Sequence, residues 1–198
     1  MNSTNIFILR HGEVQGGAIF RGSQDDPLTE NGLRQLQKRL EHSDHTFDIV
    51  ISSPLIRCAD FAKEYARINR LPIEIVADIK EMDFGDWEGK SFEAINQTAA
   101  EKLEKFFSNP IENPAPNGED LRAFRTRVVS ALEKVLIDHS GKNILIVTHG
   151  GVQKVIFTHA LKMPLDAVHS IDTPYASISQ FTIYNEHDNF TWLLRRHG

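Results

Sequence analysis

The chain of 198 residues is 40% hydrophobic, and its 12 glycines bring the apolar share to about 46%, the ordinary value for a folded globular domain. At about 100–200 residues per domain this length predicts one domain, residues 1–198, with one sizeable core. With 22 basic and 27 acidic residues the net charge is −5 and no block of five like charges occurs, which argues against nucleic acid and anionic membrane as partners.

The first apolar run, Ile6-Phe7-Ile8-Leu9, ends at Arg10-His11-Gly12 and reads as a buried strand followed by a glycine turn. It is too short for a signal-peptide core, and no later stretch approaches the roughly 18 apolar residues of a membrane helix. A cytoplasmic protein that does not span a membrane is expected. Leu28 and Leu33 flank Thr29 at hydrophobic-staple spacing, and Leu33, Leu36 and Leu40 form one helix face. Beyond it, His42 and His45 lack the HExxH pattern of a metal site and read as a solvated helix end. The run Asp48 to Ser52 passes into Ser53-Pro54, an N-cap followed by proline at the first helical position, and Cys58, Phe61, Ala62 and Tyr65 give that helix its apolar face.

Cys58 is the single cysteine, so neither an internal disulfide nor a thiolate zinc site can form, and a reducing compartment fits. The segment 83–116 carries Pro110, Pro114 and Pro116 and reads as an irregular excursion over the sheet, resembling a lid. A helix is predicted from near Asn117-Gly118-Glu119 to near Gly141, with Leu121, Phe124, Val128, Leu132 and Val135 inward. The run Ile144 to Val147 then ends at Thr148-His149-Gly150-Gly151, and Ser177–Tyr184 and Phe190–Leu194 form a C-terminal hairpin around a turn at 185–189. Strands alternating with helices predict an α/β fold: a three-layer α/β/α sandwich with a mostly parallel central sheet.

In open α/β sheets ligands bind beyond the carboxyl ends of the strands, where this chain places Arg10, His11, Arg57 and His149. The Gly150-Gly151 amides open a helix N-terminus at the same edge. Two guanidiniums, two imidazoles and free N–H groups make an anion pocket whose natural guest is a phosphoryl group. A second Arg-His-Gly, at Arg196-His197-Gly198, sits at a terminus expected to fray and is set aside as a decoy. A carboxylate is available in Glu81-Met82-Asp83-Phe84-Gly85-Asp86-Trp87-Glu88-Gly89, and composition does not choose among its acids. Six positions after Cys58 stands Glu64 where a cysteine phosphatase needs Arg, and no GxxxxGK[ST] loop exists. A histidine nucleophile remains.

These residues resemble the histidine phosphatase superfamily, also called phosphoglycerate-mutase-like. The motifs that carry the likeness are Leu9 to Glu13, Pro27 to Gly32, Ser52 to Cys58, Glu81 to Gly89, Asn117-Gly118-Glu119 and Val147 to Gly150, in the family's order over most of the chain. The resemblance implies that His11 accepts the phosphoryl group, that Glu81 is the proton donor, and that Arg10, Arg57 and His149 clamp the phosphate, with Gly150 beside them. The wording around Glu81, Asn117 and Asn143 is most similar to the α-ribazole phosphatase branch, which implies a small phosphorylated metabolite of cobalamin assembly as substrate. Where the family has Thr or Ser and then Asn after its RHGE motif, this chain has Val14 and Gly17, so Arg21 or Ser23 is expected to supply the missing contacts.

The chemistry stands apart from the resemblance. An imidazole with an ordinary pKa near 6.5 is largely neutral at pH 7 and can attack without a separate base. Two arginines and a second histidine can hold the charge of the transferring group, so no metal or cofactor is required. A cofactor-dependent phosphoglycerate mutase would use the same pocket but needs longer lid segments, and a silent phospho-ligand binder would have no use for a nucleophile paired with an acid.

Overall fold

Six strands form the centre of the computed structural model, which describes residues 3–41, 46–186 and 189–198. They are β1 (Ser3–Arg10), β2 (Ile49–Ser52), β3 (Ile73–Ile75), β4 (Asn143–Thr148), β5 (Ile178–Glu186) and β6 (Asn189–Arg196), in the order β3-β2-β4-β1-β5-β6. The first four positions are parallel, with Leu9 level with Val147 and Ser52 level with Val147 from the other side. Strand β5 runs antiparallel to β1 and β6 antiparallel to β5. The carboxyl ends of β1, β2 and β4 therefore share one edge.

The strand alternation sorts the core into two layers. Ile6 and Ile8 of β1 pack with Ile144 and Ile146 against α4 (Leu121–Asp138) and α5 (Gly150–Ala160). Phe7 and Leu9 pack with Leu145 and Val147 against α1 (Glu30–Glu41) and α2 (Ile56–Asn69). Ile8 is 0% exposed, and its truncation to Ala would cost about 2–5 kcal/mol in transfer and cavity terms. The α/β/α sandwich with a mostly parallel sheet is the architecture observed.

Several local expectations shift. Thr29 accepts a bond from the Gly32 amide at 2.9 Å and starts α1, whose Leu36 and Leu40 are buried while Leu33 is 41% exposed and leaves the core face. Helix α2 begins two residues later than Ser53-Pro54 implies. Ser53 Oγ is engaged by His149 Nε2 at 2.7 Å, and Asp25 Oδ1 accepts from the Ile56 amide instead, at 2.6 Å. Helix α4 starts at Leu121 because Asp120 Oδ1 caps the Arg122 and Ala123 amides.

The largest difference is α3 (Phe92–Ser108), a helix kinked at Ala99 where an irregular excursion was expected. Ser91 Oγ caps it, and Ile95, Leu103 and Phe106 bury with Trp87 and Ala115 in a third, separate cluster. Polar residues from Asn96 to Lys102 interrupt its apolar stripe, and the kink restores the inward face. The short edge strand β3 was also unforeseen. His42, His45 and part of the turn at 185–189 lie outside the described residues. Among the described residues no helix is long and apolar enough to cross a membrane.

Candidate active site

At the edge shared by β1, β2 and β4 lies a cavity of about 420 Å³, its inner wall formed by Arg10, His11, Arg57, Glu81, Gly150 and Gly151. Strand β1 delivers His11 at its end, where the ring is 5% exposed and Nδ1 lies 2.8 Å from the Gly12 carbonyl. A carbonyl only accepts, so Nδ1 carries the proton in the neutral ring and Nε2 keeps its lone pair. Burial, reinforced by the Arg10 charge, pushes the His11 pKa well below the usual histidine value. The neutral form is thereby favoured.

Two guanidiniums flank this imidazole. Arg10 donates through Nη1 to the Thr173 carbonyl, and its carbon lies 4.4 Å from the centre of the Tyr175 ring. Arg57 is 1% exposed and donates to the Gly22 and Gln24 carbonyls at 2.8 and 2.6 Å. In both arginines the Nε–H is buried with no partner among the described residues. Buried N–H groups normally find an acceptor, and these two find none among the described groups, while both guanidiniums line the cavity and suit an anion there. Burial lowers the Arg10 pKa, with the nearby Glu81 charge opposing the shift.

Glu81 is the acid that faces the cavity. Its Oε1 accepts from the Met82 amide and its Oε2 from the Gly151 amide at the first turn of α5, both at 3.0 Å. A Cβ on Gly151 would come within 2.3 Å of Glu81 Oε1, so only glycine lets the carboxylate rest there. The other three acids of the segment are spent elsewhere: Asp83 Oδ1 on the Gly85 amide, Asp86 on Asn117, and Glu88 on Ser23 and the Phe84 amide.

The remaining expected residues divide. His149 is fully buried and stands behind His11, with ring centres 5.3 Å apart edge-on, rather than on the cavity wall. Burial and the Arg57 charge hold its pKa well below the usual value. Arg21 lines the cavity, but its fork points into its own loop, to Asp26 at 2.9 Å and to the Gln15 and Gly17 carbonyls. Ser23 does not reach the cavity; its amide and hydroxyl bind Glu88 at 2.7 and 2.8 Å. Arg21 is thus bonded within its own loop and Ser23 to the 81–89 segment.

Sequence reasoning missed Tyr175, which is 5.7 Å from His11 between ring centres, and Lys154, a half-buried cation one turn beyond Gly150 on the same face of α5. The i, i+4 spacing from Gly150 was the available signal for Lys154. The outer wall is aromatic, with Phe20, Phe84, Phe106, Phe107 and Phe124 lining it. Among the described residues no group of His, Cys, Asp and Glu side chains converges as metal ligands.

Comparison with known proteins finds relatives over nearly the whole chain. The family model described as histidine phosphatase superfamily (branch 1) matches residues 6–195. The chain is 30% identical over 167 residues to an Escherichia coli protein named adenosylcobalamin/alpha-ribazole phosphatase, covering 82% of each. Among solved structures it superposes on the alpha-ribazole phosphatase of Shigella flexneri with a TM-score of 0.79 at 28% identity, covering 96% of this chain and 94% of that one. A phosphoserine phosphatase mutant of Entamoeba histolytica, solved with phosphoserine, gives 0.82 at 25% identity over 98% and 96%.

Proposed function

Because the chain belongs to the histidine phosphatase superfamily, we propose that it hydrolyses small phosphomonoesters without a metal, through a phosphohistidine on His11, with α-ribazole 5′-phosphate of cobalamin assembly as its substrate. The observation that carries this reading is His11 on the cavity wall, its Nδ1 held by the Gly12 carbonyl, between the Arg10 and Arg57 guanidiniums. Nε2 holds a lone pair with Gly12 fixing the opposite nitrogen, while the Nε–H groups of Arg10 and Arg57 lack acceptors.

In the first step His11 Nε2 bonds to phosphorus as the ester P–O bond breaks, and Glu81 gives its proton to the departing oxygen. Arg10, Arg57 and the Gly150 amide hold the equatorial oxygens. His149, edge-on to His11, fixes the plane of the attacking ring. In the second step water attacks phosphorus, Glu81 takes its proton, the P–N bond breaks, and phosphate leaves with His11 neutral again. The aromatic outer wall suits stacking of a flat base such as that of α-ribazole.

One observation favours a second substrate class. Lys154 faces the cavity with neither hydrogen bond nor ion pair among the described residues, and would meet the carboxylate of a phosphorylated amino acid. Comparing kcat/KM for α-ribazole 5′-phosphate and phosphoserine, in the native chain and in Lys154→Met, separates the two. The reaction itself is tested by trapping label from a radiolabelled phosphomonoester: the adduct is acid-labile, base-stable and absent in His11→Ala. Normal labelling of that variant would refute the nucleophile. The lone buried cysteine suits a reducing, cytoplasmic setting.

A further inference from the structure

Arg127, in the second turn of α4, spends every N–H of its guanidinium on Glu119 and on the carbonyls of the stretch 78–81. Nε and Nη2 grip the Glu119 carboxylate at 2.7 and 2.8 Å, a bidentate ion pair whose side chains are 17% and 19% exposed. Nη1 donates to the carbonyls of Asp78 and Lys80 at 2.7 and 2.8 Å, and Nη2 to that of Glu81 at 2.9 Å. A guanidinium has five N–H donors, and all are satisfied here. Glu119 continues the hold on the far side of Glu81, its amide donating to the Asp83 carbonyl at 2.8 Å and its Oε2 accepting from the Asp83 amide at 3.3 Å.

We propose that Arg127 is a positioning residue for the proton donor: it clamps the backbone on both sides of Glu81, directly and through Glu119, so that the carboxyl meets the leaving-group oxygen. The inference rests on the reading of Glu81 as that donor. It also gives the Asn117-Gly118-Glu119 motif a task, since none of those side chains lines the cavity. Three carbonyls in fixed positions define where a short loop runs, and a planar fork holds them with a rigidity that a point charge lacks. Phe124, one turn earlier on α4, carries the guanidinium 4.7 Å above its ring and lines the cavity below, so the clamp and the wall move as one piece.

A clamp for an acid has a signature that a purely structural ion pair lacks. Proton donation matters for a poor leaving group and little for a good one. Arg127→Met is therefore expected to lower kcat/KM for an alkyl phosphate about 10- to 100-fold, part of the 10²–10⁴ that an acid supplies, and for p-nitrophenyl phosphate by less than about threefold. Arg127→Lys should recover part of the loss. The double variant with Glu81→Gln should be no slower than Glu81→Gln alone, because residues acting through one group are not additive.

If Glu81→Gln slows both esters equally, the donor reading itself falls. If Glu81→Gln shows the leaving-group dependence while Arg127→Met slows both esters alike, or if the double variant is slower than Glu81→Gln, the positioning role is overturned. Should Arg127→Met fail to fold by circular dichroism, Glu119→Gln is read by the same two esters: selective loss on the alkyl phosphate upholds the clamp, and equal loss on both overturns it.

Discussion

The chain writes Arg-His-Gly twice, at 10–12 and at 196–198, and only one copy sits in a site. Both follow strands that run in the same direction, since β6 is antiparallel to β5 and β5 antiparallel to β1. The first ends a central strand flanked by β4 and β5; the second ends an edge strand. At His11 one ring nitrogen is bonded and the other is open to the cavity. At His197 both are occupied, Nδ1 by Ser179 Oγ at 2.9 Å and Nε2 by the Asp172 carbonyl at 2.8 Å, with the ring against Phe157. The terminus is pinned rather than frayed, with Arg39 also holding the Gly198 carbonyl. Reactivity follows from which hydrogen bonds are left unmade.

The sharpest way to break this contrast is to remove each histidine in turn. His11→Ala should lose on the order of 10⁴-fold or more in kcat/KM, as removal of a nucleophile does, and all phosphoenzyme. His197→Ala should keep turnover within about twofold while the melting temperature falls by a few degrees for two lost hydrogen bonds. Reversal of either result would mean that the wrong tripeptide has been assigned.

The arginines give the next largest effect. Arg10→Ala or Arg57→Ala should each raise the barrier by about 2.7–4 kcal/mol, the loss seen for a single oxyanion donor, whereas Arg196→Ala, at an exposed position, should leave kcat/KM within error. Vanadate, a mimic of the in-line phosphoryl geometry, should inhibit the native chain strongly and the arginine variants weakly, and EDTA should change neither. Chelator-sensitive turnover restored by Mg²⁺ would refute the metal-free mechanism.

Burial supplies the smallest effect. His11, His149 and His169 all have pKa values lowered by burial, His169 to about 4. The unfolded chain therefore takes up protons below about pH 6.5 that the folded chain refuses. Stability from these three is complete above that pH and is lost as pH falls toward the folded values. Urea midpoints should drop between pH 7 and pH 5, and His169→Phe should flatten the slope in proportion. A midpoint rising toward acid would contradict the neutral rings.

The two copies also show what a sequence can carry. Strands β1, β2 and β4 were legible because each is a short apolar run stopped by a glycine turn or a helix start, and one edge then follows from parallel topology. The choice of Glu81 over Asp83, Asp86 and Glu88 was not legible from spacing. It is made by Gly151 and Arg127, which lie 70 and 46 residues downstream. Arg21 illustrates the same limit: its place on the wall could be guessed, but the direction of its fork is decided by Asp26 and two carbonyls of its own loop. Helix α3 was missed because its inward face depends on a kink that no periodicity encodes.

Cys58 lies wholly inside, its thiol 3.4 Å from the Thr148 carbonyl and 3.7 Å from His149 Nε2, and burial pushes its pKa far up. A thiol held protonated and sealed from solvent reacts with neither peroxide nor alkylating agents. A phosphatase built on a cysteine nucleophile is silenced by oxidants, which is how such enzymes come to act as redox relays. With a ring nitrogen proposed as its reactive atom and its one thiol shut away, this protein should keep turning over when a thiol-specific oxidant is added.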